Sequence, residues 1–169
     1  TSQTDIISVE TRDLASYTWN KEVVEGNWDD PDNWIVTKVP ADGIVAGYPV
    51  DSNNGIHFEA GTVATVYISD NFYNLEDLHF GSRDGLRLRF VGKDASTSKI
   101  SFDMFAGGMN DEYVEFSALT LGEKDTIDSG VGNYASTNSV LKFTNGAVFN
   151  QSGSFLNTKG TNVTFAVES

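Results

Sequence analysis

The sequence predicts an all-β chain, a parallel β-helix (solenoid) of about six coils with a Trp-rich amino-terminal cap, and three observations carry the prediction. An apolar–polar–apolar triplet recurs as Ile56-His57-Phe58, Leu78-His79-Phe80, Ile100-Ser101-Phe102, Leu119-Thr120-Leu121, Leu141-Lys142-Phe143 and Val163-Thr164-Phe165, at spacings of 22, 22, 19, 22 and 22 residues. A second series, Ile44 with Ala46, Val66 with Ile68 and Leu88 with Phe90, runs at the same 22-residue interval. The composition, with 16 Gly, 16 Ser, 15 Thr and 14 Asn, suits short strands between polar turns, and no long run of apolar residues follows helical spacing.

Alternate residues of a strand face one side, so each triplet is read as a strand with its outer members turned inward and each interval as one circuit. Equivalent positions then stack at about 4.8 Å, and the rest of the circuit supplies the crossover that parallel strands need. The expected core ladder is Phe58, Phe80, Phe102, Leu121, Phe143 and Phe165. The structural rival is a β-sandwich or jelly roll, which also spaces short strands closely but gives no reason for a 22-residue recurrence.

Taken in order, residues 1–16 read as an extended amino-terminal segment, 17–50 as the Trp-rich cap and first coil, and 51–169 as coils that continue beyond residue 169 in a parent protein. An open solenoid end exposes its core and strand edges, so terminal repeats are covered. All three tryptophans, Trp19, Trp28 and Trp34, lie within 16 residues, and Asp30 followed by Pro31 is a good cap and first position for a short helical turn. The rings are expected to lie flat over the first coil. Asp51-Ser52-Asn53-Asn54-Gly55 reads as a turn. The 19-residue spacing marks a shorter coil, with an irregular loop expected through Phe105-Ala106-Gly107-Gly108-Met109-Asn110. Thr144-Asn145-Gly146, Gln151-Ser152-Gly153 and Thr158-Lys159-Gly160 read as tight corners. Val163 to Val167 is strand-like with no cap after it, which predicts end-to-end or edge association at that coil, or a covering chain.

The stretch Trp19, Trp28, Asn33, Trp34, Pro40, Asp51 and Phe58 resembles the start of bacterial autotransporter-type passenger regions and related surface β-helix repeat proteins. These commonly show a W, then G-x-W-x-x-x-x-N-W, a P and a D-x-x-x-F-type strand. The spacing from Pro40 to Phe58 is longer than that pattern. The resemblance covers about residues 17–60 by motif and the remainder by style of repeat. It implies a right-handed β-helix, exported to a bacterial cell surface or secreted.

The formal net charge of −13 argues against nucleic acid as a partner, since a phosphate backbone needs clustered Lys and Arg. No apolar run approaches the roughly 20 residues that cross a bilayer, so no membrane insertion by this segment is expected. With no cysteine there is neither disulfide nor thiol chemistry.

Only two histidines occur, His57 and His79, both at the outward centre of a triplet and expected to stack, with Ser101 continuing the column. Two imidazoles fall short of the three or four ligands of a transition-metal site. Asp29, Asp30 and Asp32 lack the order of a calcium loop and read as helix capping. No catalytic constellation, metal or cofactor is therefore assigned. Arg83, Arg87 and Arg89 form a small basic group in an acidic chain, with Arg87 and Arg89 outward together. They are candidates for contact with a sulfated or sialylated glycan, the plainer reading being charge balance against Glu76, Asp77 and Asp84.

These readings favour a non-enzymatic, exported surface or adhesion-type stalk or passenger segment whose partner is a glycan or a host surface protein. Alternatives are the amino-terminal part of a β-helix polysaccharide lyase or hydrolase, and a carbohydrate-binding β-sandwich using Tyr17, Tyr48 or Tyr73.

Overall fold

The computed structural model describes residues 15–50, 54–69, 72–79, 84–107, 110–121, 130–134, 137–149, 157–158 and 162–169. In chain order the strands are β1 (Ser16–Trp19), β2 (Glu25–Asn27), β3 (Trp34–Lys38), β4 (Gly55–His57), β5 (Val63–Ile68), β6 (Phe72–His79), β7 (Arg87–Gly92), β8 (Lys99–Gly107), β9 (Tyr113–Ser117), β10 (Thr120–Leu121), β11 (Gly130–Tyr134), β12 (Ser139–Thr144), β13 (Val148–Phe149), β14 (Asn157–Thr158) and β15 (Val163–Val167). Helix among the described residues is confined to one 3-10 turn, Pro31–Asn33.

These strands form a nine-stranded sheet and a six-stranded sheet. The first runs β13-β10-β8-β6-β4-β1-β3, with β11 beside β8 and β14 beside β11. The second runs β15-β12-β9-β7-β5-β2. Among the described residues every ladder is parallel except β1 with β3. The chain is thus all-β and built of mostly parallel sheets, and its ladders are not the antiparallel ones of the β-sandwich or jelly-roll alternative.

Alternation sets the inward face. In β5, Ala64, Val66 and Ile68 are buried while Val63 and Tyr67 are exposed, and β7 repeats the pattern with Leu88 and Phe90 inward. Two apolar rows cross the six-stranded sheet, Ala64–Leu88–Val114–Leu141–Phe165 and Val66–Phe90–Phe116–Phe143–Val167. As far as Leu141 and Phe143 they join Tyr17, Trp19, Ile56, Phe58, Ile100 and Leu121 of the other sheet and its borders in one core, while Phe165 and Val167 at the end of the rows are exposed.

The aromatic column differs from the expected one. It runs Trp19, Phe58, Phe90, Phe116, Phe143 and Phe165, with successive ring centroids 6.3, 5.7, 5.2, 5.5 and 5.5 Å apart. Phe58, Phe143 and Phe165 belong to it; Phe80 lies outside the described residues, the backbone of Phe102 pairs with Leu75, and Leu121 pairs with Ile100 in the nine-stranded sheet.

The recurrence itself needs the same correction. Ile56 pairs with Leu78 at the expected 22 residues, but Leu78 pairs with Phe105 and not with Ile100. Val63 pairs with Arg87, Arg87 with Tyr113, and Ser139 with Val163. The triplets Leu141 to Phe143 and Val163 to Phe165 lie in the six-stranded sheet, whereas Ile56 is in the nine-stranded one. Any inward strand face reads as apolar–x–apolar, so the triplet does not report which sheet it serves. Ile44, a member of the second series, is exposed. Phe105, Ala106 and Gly107 are the end of β8, not an irregular loop.

The corners carry a regularity of their own. Gly61, Gly85, Asp111, Asn138 and Asn162 all have positive φ, between 52° and 72°, and each precedes a strand of the six-stranded sheet. The Gly61 amide donates to the Asp84 carbonyl, Gly85 to Asn110 and Asp111 to Thr137, so successive corners hydrogen-bond to one another. The Asn162 side-chain amide donates to Asn138 Oδ1 at 2.9 Å. Gly, Asn and Asp tolerate this conformation where other residues are strained.

The tryptophans lie where β3 ends the nine-stranded sheet and β2 ends the six-stranded one. Asp30 accepts from the Asp32 amide at 3.0 Å, and Pro31 opens the 3-10 turn. Trp34 meets Trp19 and Trp28 edge-on at 86° and 69° and Phe58 at 64°, while Trp19 lies nearly parallel to Phe58, so the rings interlock instead of lying flat. Each indole N–H is satisfied by a carbonyl, of Val23, Pro49 and Trp28 for Trp19, Trp28 and Trp34 respectively.

Candidate functional site

The polar face of the six-stranded sheet holds the residues on which chemistry is most concentrated. Inward positions are occupied by the apolar rows, so Arg87 and Arg89 of β7, Tyr113 and Glu115 of β9 and Lys142 of β12 stand on the other face. Register puts Thr65, Arg89, Glu115 and Lys142 in one row.

Acids and bases alternate along that row. Arg89 Nε donates to Glu115 Oε2, and the Tyr113 hydroxyl donates to Glu115 Oε1 at 3.0 Å. Glu115 is buried by these neighbours although it lies on the polar face. Lys142 Nζ pairs with Glu168 at 2.9 Å, and Arg87 pairs with Asp111 at 3.0 Å while also donating to the Leu86 and Asp111 carbonyls.

Proton affinities follow from these contacts. The hydrogen bond to Glu115 raises the Arg89 guanidinium above its ordinary value, and burial followed by the hydrogen bond to Glu115 raises the Tyr113 hydroxyl. The hydrogen bond to Glu168 raises Lys142. A tyrosine pushed upward remains a donor at neutral pH, which is the wrong direction for a general base. The cluster is built to hold hydrogen bonds.

Arg87 and Arg89 therefore come together as outward neighbours, with Asp111 and Glu115 as acid partners, while the side chains of Glu76 and Asp77 lie outside the description. Asp84 instead accepts from the Asn110 amide at 3.2 Å. Arg83 lies outside the described residues. Tyr17 is fully buried, donating to the Ala46 carbonyl at 2.7 Å, so it is not an exposed sugar platform, and Tyr48 is half-buried against the core. His57 and His79 are register partners, yet the next partner of His79 is Ala106, not Ser101. Asp29 accepts from the Ser69 hydroxyl at 2.6 Å while Asp30 caps the turn, so the acidic group is divided between two local tasks.

Two features escaped the sequence reading. Tyr67 and Tyr113, on this face, were not singled out because their relation to Arg89 depends on register. The corner series was visible as Gly, Gly, Asp, Asn and Asn at intervals of 24, 26, 27 and 24 residues, but the steadier triplets masked it. Comparison with known protein families, with curated proteins and with solved structures finds no match for this chain.

Proposed function

We propose that this chain is a segment of a right-handed parallel β-helix that serves as a non-enzymatic, exported scaffold, of the surface or adhesion type that autotransporter-like passenger regions represent. Strands alternating between two sheets, each pairing in parallel with its equivalent one circuit later, support the solenoid reading. The observation that carries it is the corner series Gly61, Gly85, Asp111, Asn138 and Asn162, because five equivalent left-handed corners are what a chain turning the same way at each circuit requires. The interlocked tryptophans at one end fit a cap.

A scaffold holds a binding face away from the cell, and the polar face of the six-stranded sheet is the surface offered to a glycan. In an enzymatic solenoid a carboxylate or basic group would stand ready for proton transfer. Here Glu115, Arg89 and Lys142 are each engaged by a partner.

Incubation with uronic-acid polymers alongside a glycan array separates scaffold from enzyme. The expected result is binding without turnover; turnover abolished by Glu115→Gln would replace this reading with that of a polysaccharide lyase or hydrolase.

A further inference from the structure

The pairing of charges on the polar face bears on what it can bind. Between β5 and β15 the cations described there, Arg87, Arg89 and Lys142, are each matched by an acid, Asp111, Glu115 and Glu168. A sulfated or sialylated ligand would have to draw a cation from its acid. Doing so at Arg89 would leave the buried Glu115 carboxylate without its countercharge, which is costly.

Uncharged hydroxyls face no such obstacle. A guanidinium carries five N–H donors in a planar fork, and Arg89 is about half exposed whereas Glu115 is not, so a hydroxyl can accept from Arg89 without breaking its pair with Glu115. Aromatic surface lies alongside. Tyr67 of β5 is 37% exposed, and Tyr113 of β9, on the same face, is half-buried. Tyr67 is in register with Val91 and Tyr113 with Arg87, so the two rings flank Arg89 on opposite sides, about 10 Å apart across the strands and about 13 Å along them. The C–H face of a sugar ring packs well on the electron-rich face of such rings.

We infer that Tyr67, Arg89, Tyr113 and Glu115 form a binding platform for a neutral oligosaccharide. This rests on the glycan-contacting scaffold proposed above and replaces the anionic ligand class expected from Arg83, Arg87 and Arg89. Tyr67 and Tyr113 supply the stacking surface, and the Arg89–Glu115 pair, held by the Tyr113 hydroxyl, fixes hydroxyl orientation.

Isothermal titration of the full chain with neutral gluco- and xylo-oligosaccharides, and with heparin oligosaccharides, at low and high salt, tests it. The expected result is saturable binding of a neutral probe that persists at high salt and weakens roughly tenfold or more in Tyr67→Ala. Tyr67 is exposed, so that variant keeps the fold, and its unchanged melting temperature is the control. Tyr113→Phe retains the ring and should bind more weakly than wild type but more tightly than Tyr67→Ala. No binding of any neutral probe, binding of heparin alone with loss at high salt, or neutral binding indifferent to Tyr67→Ala would overturn the inference. Polymer turnover is measured separately and bears on the scaffold reading, so the two can fail independently.

Discussion

At Gly92, the last residue of β7, a single added methyl group would collide with three neighbouring atoms. A Cβ there would stand 2.3 Å from the Ala118 carbonyl oxygen, 2.6 Å from Ser98 Cβ and 2.9 Å from Leu119 Cβ. The first of these is backbone and cannot retreat as a flexible side chain would. Gly92→Ala is therefore expected to destabilise the chain by about 3 kcal/mol. For a chain of this size that lowers the melting temperature by about 6–12 °C. Gly43 provides the comparison. Its φ is +72° but nothing lies within 4 Å of an added Cβ, so Gly43→Ala meets backbone strain alone, about 1 kcal/mol. Urea unfolding of the two variants decides the matter: a Gly92→Ala variant no less stable than Gly43→Ala would refute the close approach of β7 to the segment around Ala118.

Between neighbouring strands the polar face makes a prediction about alkaline pH. Tyr113 has its folded pKa raised, first by burial and then by its hydrogen bond to Glu115. A group that holds its proton more tightly when folded adds stability that is complete below its unfolded pKa, near 10 for a phenol. That stability is lost as pH rises through the folded pKa. The urea midpoint should thus fall from about pH 10 upward, and less steeply in Tyr113→Phe. Lys142, raised by its hydrogen bond to Glu168, adds a loss of the same sign, so Tyr113→Phe reduces the slope without abolishing it. Glu115→Gln should lower the Tyr113 absorbance titration, and an identical titration in that variant would separate the two residues. How much of this face was legible follows from the same geometry. Alternation around Leu88 and Phe90 placed Arg87 and Arg89 outward together, because a two-residue period is local. Their partners were not legible, because Asp111 and Glu115 lie 24 and 26 residues away and a 22-residue interval aims the same cations elsewhere.

Across the whole molecule, the all-β class, the predominance of parallel pairing and the apolar partners Ile56 and Leu78 followed from pattern alone. The interval did not, since strands at fixed lateral spacing tolerate connections of different length, and the separation between partners varies while the inward faces stay in line. Cysteine pairs separate the two registers, in a chain whose own cysteine count is zero. Val63 and Arg87 are partners in the structure, whereas a 22-residue register would pair Thr65 with Arg87. Partners on neighbouring parallel strands have Cα atoms about 5 Å apart, inside the range a disulfide spans, and a two-residue offset widens this to about 8 Å, beyond it. Under mild oxidation the variant carrying Val63→Cys and Arg87→Cys should therefore close within one chain. Its counterpart carrying Thr65→Cys and Arg87→Cys should stay reduced, read as mobility on a non-reducing gel. The closed variant should also unfold at higher urea, because crosslinking a loop of this length restricts the unfolded chain by an amount on the order of 3 kcal/mol. The reverse pattern, closure of Thr65→Cys with Arg87→Cys alone, would restore the 22-residue spacing between β5 and β7. It would also move Tyr67 along β7 from Val91 to Arg89, and so reshape the platform on the polar face.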